Sequence, residues 1–200
     1  MTSGGGEVAL FPLQTVLFPG GLLPLRIFEQ RYMEMAKECL KSDTPFGVCL
    51  IRKGAEVGAP AAPEEVGCLA RIVQWDMQQL GLLQVTTRGE RRFRIVERRL
   101  EPSGLARARV QVLDDESDAA VPARFDACRR LLELVVQQRG AALFAAPLRF
   151  ESSAWLSARL TEILPVPLAA KQKLMELDDS MQRLEILQKF LEQHGLAGDR

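Results

Sequence analysis

Histidine is almost missing from this chain: His194 is the single one in 200 residues. The four cysteines, Cys39, Cys49, Cys68 and Cys128, form no C-x-x-C pair. A zinc site needs clustered thiolate or imidazole ligands, so none is expected and the cysteines read as small buried hydrophobes. No G-x-x-x-x-G-K-[ST], no G-x-G-x-x-G and no H-E-x-x-H occurs, which removes the phosphate-cradling loops and a zinc-protease helix. A Ser-His or Cys-His nucleophile system would have to use His194, beside the carboxyl end of a helix, where an imidazole more naturally bonds the last carbonyls. No enzymatic activity and no cofactor are therefore expected.

Excess charge is missing too. Lys plus Arg is 26 and Asp plus Glu is 26, a net charge of 26 − 26 = 0. Nucleic-acid coating relies on neutralising phosphates, so a balanced chain argues against it as the main task while leaving room for a local patch. No apolar run approaches the roughly 20 residues of a membrane helix, and Met1–Glu7 lacks the Lys or Arg of a secretion signal. The expectation is a cytoplasmic protein with no membrane contact.

What is present is apolar bulk, 47% of the residues, enough for a core without metals or disulfides. Thr2–Gly6 reads as a flexible leader. Proline and glycine stud the next stretch, which predicts two extended segments, Val8–Leu13 and Leu22–Ile27, bending at Pro19-Gly20-Gly21. Apolar spacing of three and four predicts a helix over Phe28–Leu40, with Glu29, Gln30, Arg31 and Glu34 on its wet side. Strands follow at Pro45–Ile51, Val66–Met77, Leu82–Arg88, Arg91–Arg99 and Leu105–Leu113, with an exposed loop at Gly54–Glu65. The acidic run Asp114–Asp118 reads as a solvated linker. Beyond it only helices are predicted: one through Phe125–Val136, one over Ser153–Leu164 capped by Ser152 or Ser153, one starting at Pro167, and one capped by Asp178 or Asp179 and ended by Gly195. The class is α+β, with a β-rich subdomain over 8–116 and a helical subdomain over 117–195.

Two features could carry binding. The proline-rich entry and its helix bring Phe11, Leu17, Phe18, Pro19, Phe28 and Tyr32, which either build the core or line an open apolar groove. Phe18, Phe28 and Tyr32, with Glu29 and Arg31, are the candidate peptide-binding set. The second feature is the arginine run from Arg88 to Arg109. On an extended strand Arg92, Arg94 and Arg98 share one face, either solvated and paired with glutamates or facing RNA or another anion. Phe93 is the one aromatic interleaved there, a poor stacking platform. An unrecognised enzyme would need a polar pocket, for instance around Glu29, Arg31 or Asp76.

The segments Leu10–Leu13 (LFPL), Val16–Pro24 (VLFPGGLLP), Leu25–Tyr32 (LRIFEQRY), Phe46–Ile51 (FGVCLI), Val66–Val73 (VGCLARIV) and Arg88–Val96 (RGERRFRIV) are a combination with its own signature. In order and spacing the chain resembles the amino-terminal, substrate-binding domain of Lon proteases, from about Val8 to Glu192. The resemblance implies a six-stranded PUA-like β-barrel with a short helix, followed by an all-helical bundle. It implies a module that recognises unfolded or hydrophobic polypeptide segments or a protein partner. RNA binding through Arg88–Arg109 is the alternative, because PUA-like barrels elsewhere hold RNA. The resemblance supplies no catalytic residues, and a chain ending at Arg200 is expected to stand apart from the ATPase and protease modules of Lon.

Overall fold

The computed structural model describes residues 6–196; of the proposed leader, all but Gly6 lies outside them. The chain divides into two compact units, the first ending at Leu113 and the second beginning at Asp114.

The first unit runs β1 (Glu7–Leu13), β2 (Leu22–Ile27), α1 (Gln30–Ser42), β3 (Phe46–Lys53), β4 (Ala62–Pro63), β5 (Val66–Gln79), β6 (Leu82–Leu100) and β7 (Ala106–Val112). Along the sheet the order is β1-β7-β6-β5-β3, and a parallel pairing of β1 with β3 closes these five strands into a barrel. β2 is laid antiparallel along β6, and β4 along β3. Closure removes edges from the ring and leaves them on the appended strands.

Two expectations change here. The strands predicted at Leu82–Arg88 and Arg91–Arg99 are one 19-residue strand, β6. Gly89 joins rather than separates them. Its N–H donates to the Gly21 carbonyl and its own carbonyl accepts from the Gly20 N–H, both at 2.8 Å. A Cβ at this position would run into the Phe18 carbonyl, so only glycine lets the loop before β2 lie on β6. Helix α1 begins at Gln30, two residues after the expected start, with Glu29 as its cap. Phe28 therefore leaves the apolar stripe and stands 56% exposed. Arg31, expected on the wet side, is buried, along with Tyr32, Met35, Ala36 and Cys39.

Tyr32, Met35, Ala36 and Cys39 join Phe11, Leu13, Phe46, Val48, Ile27, Leu83 and Val85 in one core cluster. A second cluster gathers Leu10, Cys49, Phe93, Ala108 and Val110 inside the barrel.

The second unit holds α2 (Asp126–Arg139), α3 (Ser153–Ile163), α4 (Leu168–Glu176) and α5 (Ser180–Gln193). Helix α3 packs against the other three. Leu132, Leu156, Leu160, Leu184, Leu187 and Leu191 form the apolar interior. Ser152 caps α3 by accepting from the Trp155 N–H, and Asp179 caps α5 by accepting from Met181 and Gln182. Pro167 stands one position earlier than predicted, as the cap of α4 rather than its first residue. Gly195 ends α5 at φ 66°, and His194 Nδ1 lies 2.8 Å from the Phe190 carbonyl, the end-of-helix role expected of it.

The acidic stretch begins at the boundary between the units and is largely exposed, but it is more than a linker. Glu116 pairs with fully buried Arg183, and the Ser117 N–H donates to the Asp178 carbonyl at 2.9 Å. Asp118 accepts from the Ser152 hydroxyl at 2.8 Å and from the Ala154 N–H at 3.1 Å. Glu116 thus serves an internal arginine, and Asp118 serves an orphan amide at the start of α3.

Candidate functional site

β2 leads directly into α1, so residues of the strand, its exit and the first helical turn come together. They open a cleft of about 320 Å³ lined by Phe11 and Leu13 of β1, Pro24 to Phe28, Glu29, Tyr32, Glu56 and Val57. Its floor is rigid. The Phe11 and Tyr32 rings stack with centroids 4.1 Å apart and planes 20° apart. Burial pushes the Tyr32 phenol above its ordinary pKa, against the pull of the Arg31 charge, so the ring serves as a neutral apolar surface with a hydroxyl tip.

Arg31 holds the site together from behind. Its guanidinium lies 2.9 Å from the Glu29 carboxylate and donates to the carbonyls of Gly58 (2.9 Å) and Gly104 (3.2 Å). Its Cζ also sits 4.6 Å from the centre of the Tyr32 ring. One buried cation thus ties the helix start, the 54–61 loop and the turn before β7, and its three oxygen partners offset part of the cost of desolvating it. The Gln14 N–H donates to the Glu56 carboxylate from the other side, fixing the loop as a wall. Val57 and Phe28 are both 56% exposed at the rim.

Of the five candidate residues, Phe28, Glu29 and Tyr32 line this cleft, and Arg31 supports it without lining it. Phe18 does not reach it. It is fully buried, and its carbonyl accepts from Gly21 at 3.0 Å. Glu56, Val57, Leu25 and Arg26 were not singled out from the sequence. Leu25 and Arg26 adjoin Phe28 and could have been; the loop residues sit in a Gly-, Ala- and Pro-rich stretch with no periodicity to mark them.

A second hollow, about 520 Å³, is a shallow trough over three strands, lined by Pro24–Arg26, Gln74–Asp76 and Gln84–Thr86. Cross-strand register puts Arg26, Gln84 and Asp76 in one row and Pro24, Thr86 and Gln74 in the next. Asp76 lies here and Glu29 in the cleft, so these two carboxylates do not converge. Glu29 and Glu56 share the cleft, but each is already engaged, with Arg31 and with the Gln14 amide.

The arginine set is divided. A register shift between Ile95 and Glu97 inserts an extra residue into β6 opposite β7. Such a bulge reverses the alternation of faces. Arg98 pairs with Ala108, on the side that Phe93 and Ile95 share with Val110, whereas Arg92 and Arg94 are on the other side. Arg92 is buried; Arg94 and Arg98 are exposed. Neighbouring arginines are in ion pairs: Arg99 with Glu7 and Glu101, Arg107 with Glu38 and Glu101, Arg109 with Glu97.

All four cysteines are buried, and none forms a disulfide. Burial raises the thiols of Cys49 and Cys128 to about 12. Among the described residues no helix is long and apolar enough to cross a membrane.

Comparison with known proteins bears on what this arrangement is for. The model of the ATP-dependent protease La (LON) substrate-binding domain matches residues 7–193. The Lon protease of Cytophaga hutchinsonii is 26% identical over 187 residues, 88% of this chain and 23% of that protein. The chain thus spans about a quarter of the length of the curated relatives it matches. The crystal structure of a Lon N-terminal domain protein from Xanthomonas campestris aligns with a TM-score of 0.75 at 31% identity, covering 91% of this chain and 96% of the other. The N-terminal domain of the Mycobacterium avium complex Lon protease shares the fold, with a TM-score of 0.67 at 18% identity over 94% and 100% of the two chains.

Proposed function

This chain belongs to the family of the ATP-dependent protease La (LON) substrate-binding domain, and from that premise we propose that it binds exposed hydrophobic segments of unfolded polypeptides through the Phe28–Tyr32 cleft. The family match supports a polypeptide-recognition module and names no protease machinery within the matched region.

The observation that carries the reading is Phe28. A large aromatic ring stands 56% exposed at the rim of a cleft whose apolar lining includes Phe11, Leu13, Ile27, Tyr32 and Val57. Covering the exposed half of such a ring, on the order of 100 Å², is worth roughly 2–3 kcal/mol before ordering costs. The site is preorganised by Arg31, so little of that gain is spent on arranging the walls. The arginine strands offer no continuous basic face, and no observation raises the nucleic-acid alternative above this one.

The test is retention of a reduced, carboxymethylated model protein on the immobilised chain, with Phe28→Ala as the diagnostic variant. Phe28 lies outside the buried core, so the variant should fold normally. Affinity should fall by about tenfold or more, as for an aromatic anchor at an interface. Undiminished retention by Phe28→Ala would remove the cleft from the account. Failure of the parent chain to retain any unfolded protein would remove the function.

A further inference from the structure

The cleft has an unusual wall. Pro24, Leu25, Arg26, Ile27 and Phe28 all line it, five residues in succession. Side chains on a strand alternate between faces, so an opening on one face of the sheet meets β2 together with its neighbour β6. The trough behaves in that way, touching Pro24–Arg26 and Gln84–Thr86 together. The cleft touches four successive residues of β2, then Phe28 just past its end, and none of β6, although β6 pairs with β2 from Leu22 to Ile27. It therefore lies along the outer edge of β2.

That edge is unpaired: among the described residues β2 pairs with β6 alone. Gly89 exchanges both its main-chain groups with Gly20 and Gly21, which sets the alternation of the ladder. Counting on through an unshifted register, Leu23, Leu25 and Ile27 turn their amides and carbonyls toward β6. Leu22, Pro24 and Arg26 turn theirs outward. Pro24, which has no N–H, stands where no ladder bond is lost. The Arg26 N–H and the carbonyls of Pro24 and Arg26 thus face the cleft, opposite Phe11, Leu13 and Val57.

We propose that the cleft captures its polypeptide as an added β-strand: an extended apolar segment bonds through its main chain to the Pro24–Arg26 edge and inserts one aliphatic or aromatic side chain between Phe28 and Val57. This rests on the polypeptide-binding reading above and specifies its mode. Main-chain bonding is common to every sequence, and the apolar walls select only for hydrophobic character. The rim carries Arg26 beside Glu29 and Glu56, so it offers no single charge to exclude a segment. An edge of this kind suits recognition of unfolded chains, whose backbones are free to pair, over folded ones, whose backbones are not.

Alternate N-methylation tests it. The probe is an acetylated, amidated eight-residue peptide alternating Thr with Val and Phe, in parent form and as two isomers N-methylated at odd or at even residues. N-methylation deletes the donors on one edge of a strand and leaves its side chains in place. One isomer should bind within about threefold of the parent and the other at least tenfold more weakly. Arg26→Pro, checked for normal melting, should weaken the parent peptide to a similar extent. Equal affinities for the two isomers, both kept or both lost, overturn strand addition while leaving polypeptide binding intact. Retention of unfolded protein without any binding of the peptides overturns this edge as the site. Loss of both overturns the functional reading as well.

Discussion

The barrel and the helical unit both pair charges at the surface and differ in how deeply they bury the rest. In the barrel ion pairs such as Arg99 with Glu7 and Arg109 with Glu97 lie at the surface, while buried Arg31 pairs with Glu29 behind the cleft. In the helical unit Arg159 and Arg183 lie wholly inside, on Glu162 and Glu116. Backbone satisfaction explains the contrast. A closed sheet pairs its amides and carbonyls strand to strand, and its interior can be purely apolar. Helices leave four amides open at each start, and where α3 and α5 begin near one another side chains must meet them. The segment from Glu116 to Val121 does this with Asp118, Ser152, Ser153 and Ser180, the last two hydroxyls 2.7 Å apart.

The helical unit is most vulnerable at Glu116. Glu116→Ala leaves Arg183 buried without its carboxylate and should cost about 3–5 kcal/mol. With two tryptophans in the chain, Trp75 in the barrel and Trp155 in α3, a Trp75→Phe background lets Trp155 fluorescence report the helical unit alone. Adding Arg183→Met should restore most of the loss, since an apolar pair of similar volume avoids the desolvation cost. If Glu116→Ala melts like the parent, the internal pair does not hold the unit.

Gly89→Ala makes the corresponding cut in the barrel. Here packing against the Phe18 carbonyl is the issue rather than charge, and roughly 1–3 kcal/mol should be lost. Trp75 fluorescence in a Trp155→Phe background reads it out during denaturant unfolding. An unchanged midpoint would mean that the loop before β2 does not press on β6.

The smallest effect sharpens the comparison by counting thiols. Cys39, Cys49 and Cys68 belong to the barrel and Cys128 to the helical unit. Native protein at pH 8 should leave all four unreactive to a disulfide reagent over minutes, and unfolding should release three with one unit and one with the other. Burial favours the protonated thiol, raising Cys49 and Cys128 from 9.0 to about 12. Their contribution is complete below about pH 9 and is lost as pH climbs toward 12. Stability that rose across that window would contradict the buried, protonated state.

Much of the fold was written in punctuation and period. Pro19-Gly20-Gly21 marked the turn before β2, alternation marked β7, and Ser152 and Asp179 marked two helix starts. What escaped depends on contacts distant in sequence. Nothing local says that Gly89 continues a strand instead of ending one, because the reason is the Phe18 carbonyl. Nothing local announces the bulge near Val96, which takes Arg98 off the face of Arg92 and Arg94. Arg31 reads as a wet residue because arginine usually is, and nothing local marks Arg159 or Arg183 as buried, since their carboxylates lie on the next helical turn or elsewhere in the chain. The candidate site was half legible for the same reason. Phe28, Glu29 and Tyr32 are neighbours in sequence and converge, whereas the opposite wall comes from a loop of small residues.

That wall has a consequence for how such a module diversifies. Arg31 grips the 54–61 loop by a backbone carbonyl, that of Gly58, and asks nothing of the loop's side chains at that point. Apart from Glu56, whose carboxylate holds the Gln14 N–H, the loop residues facing the cleft can be exchanged without disturbing the barrel that presents them. Inheritance can therefore act on scaffold and reader separately, and grafting a different eight-residue loop should transfer a different taste for polypeptides.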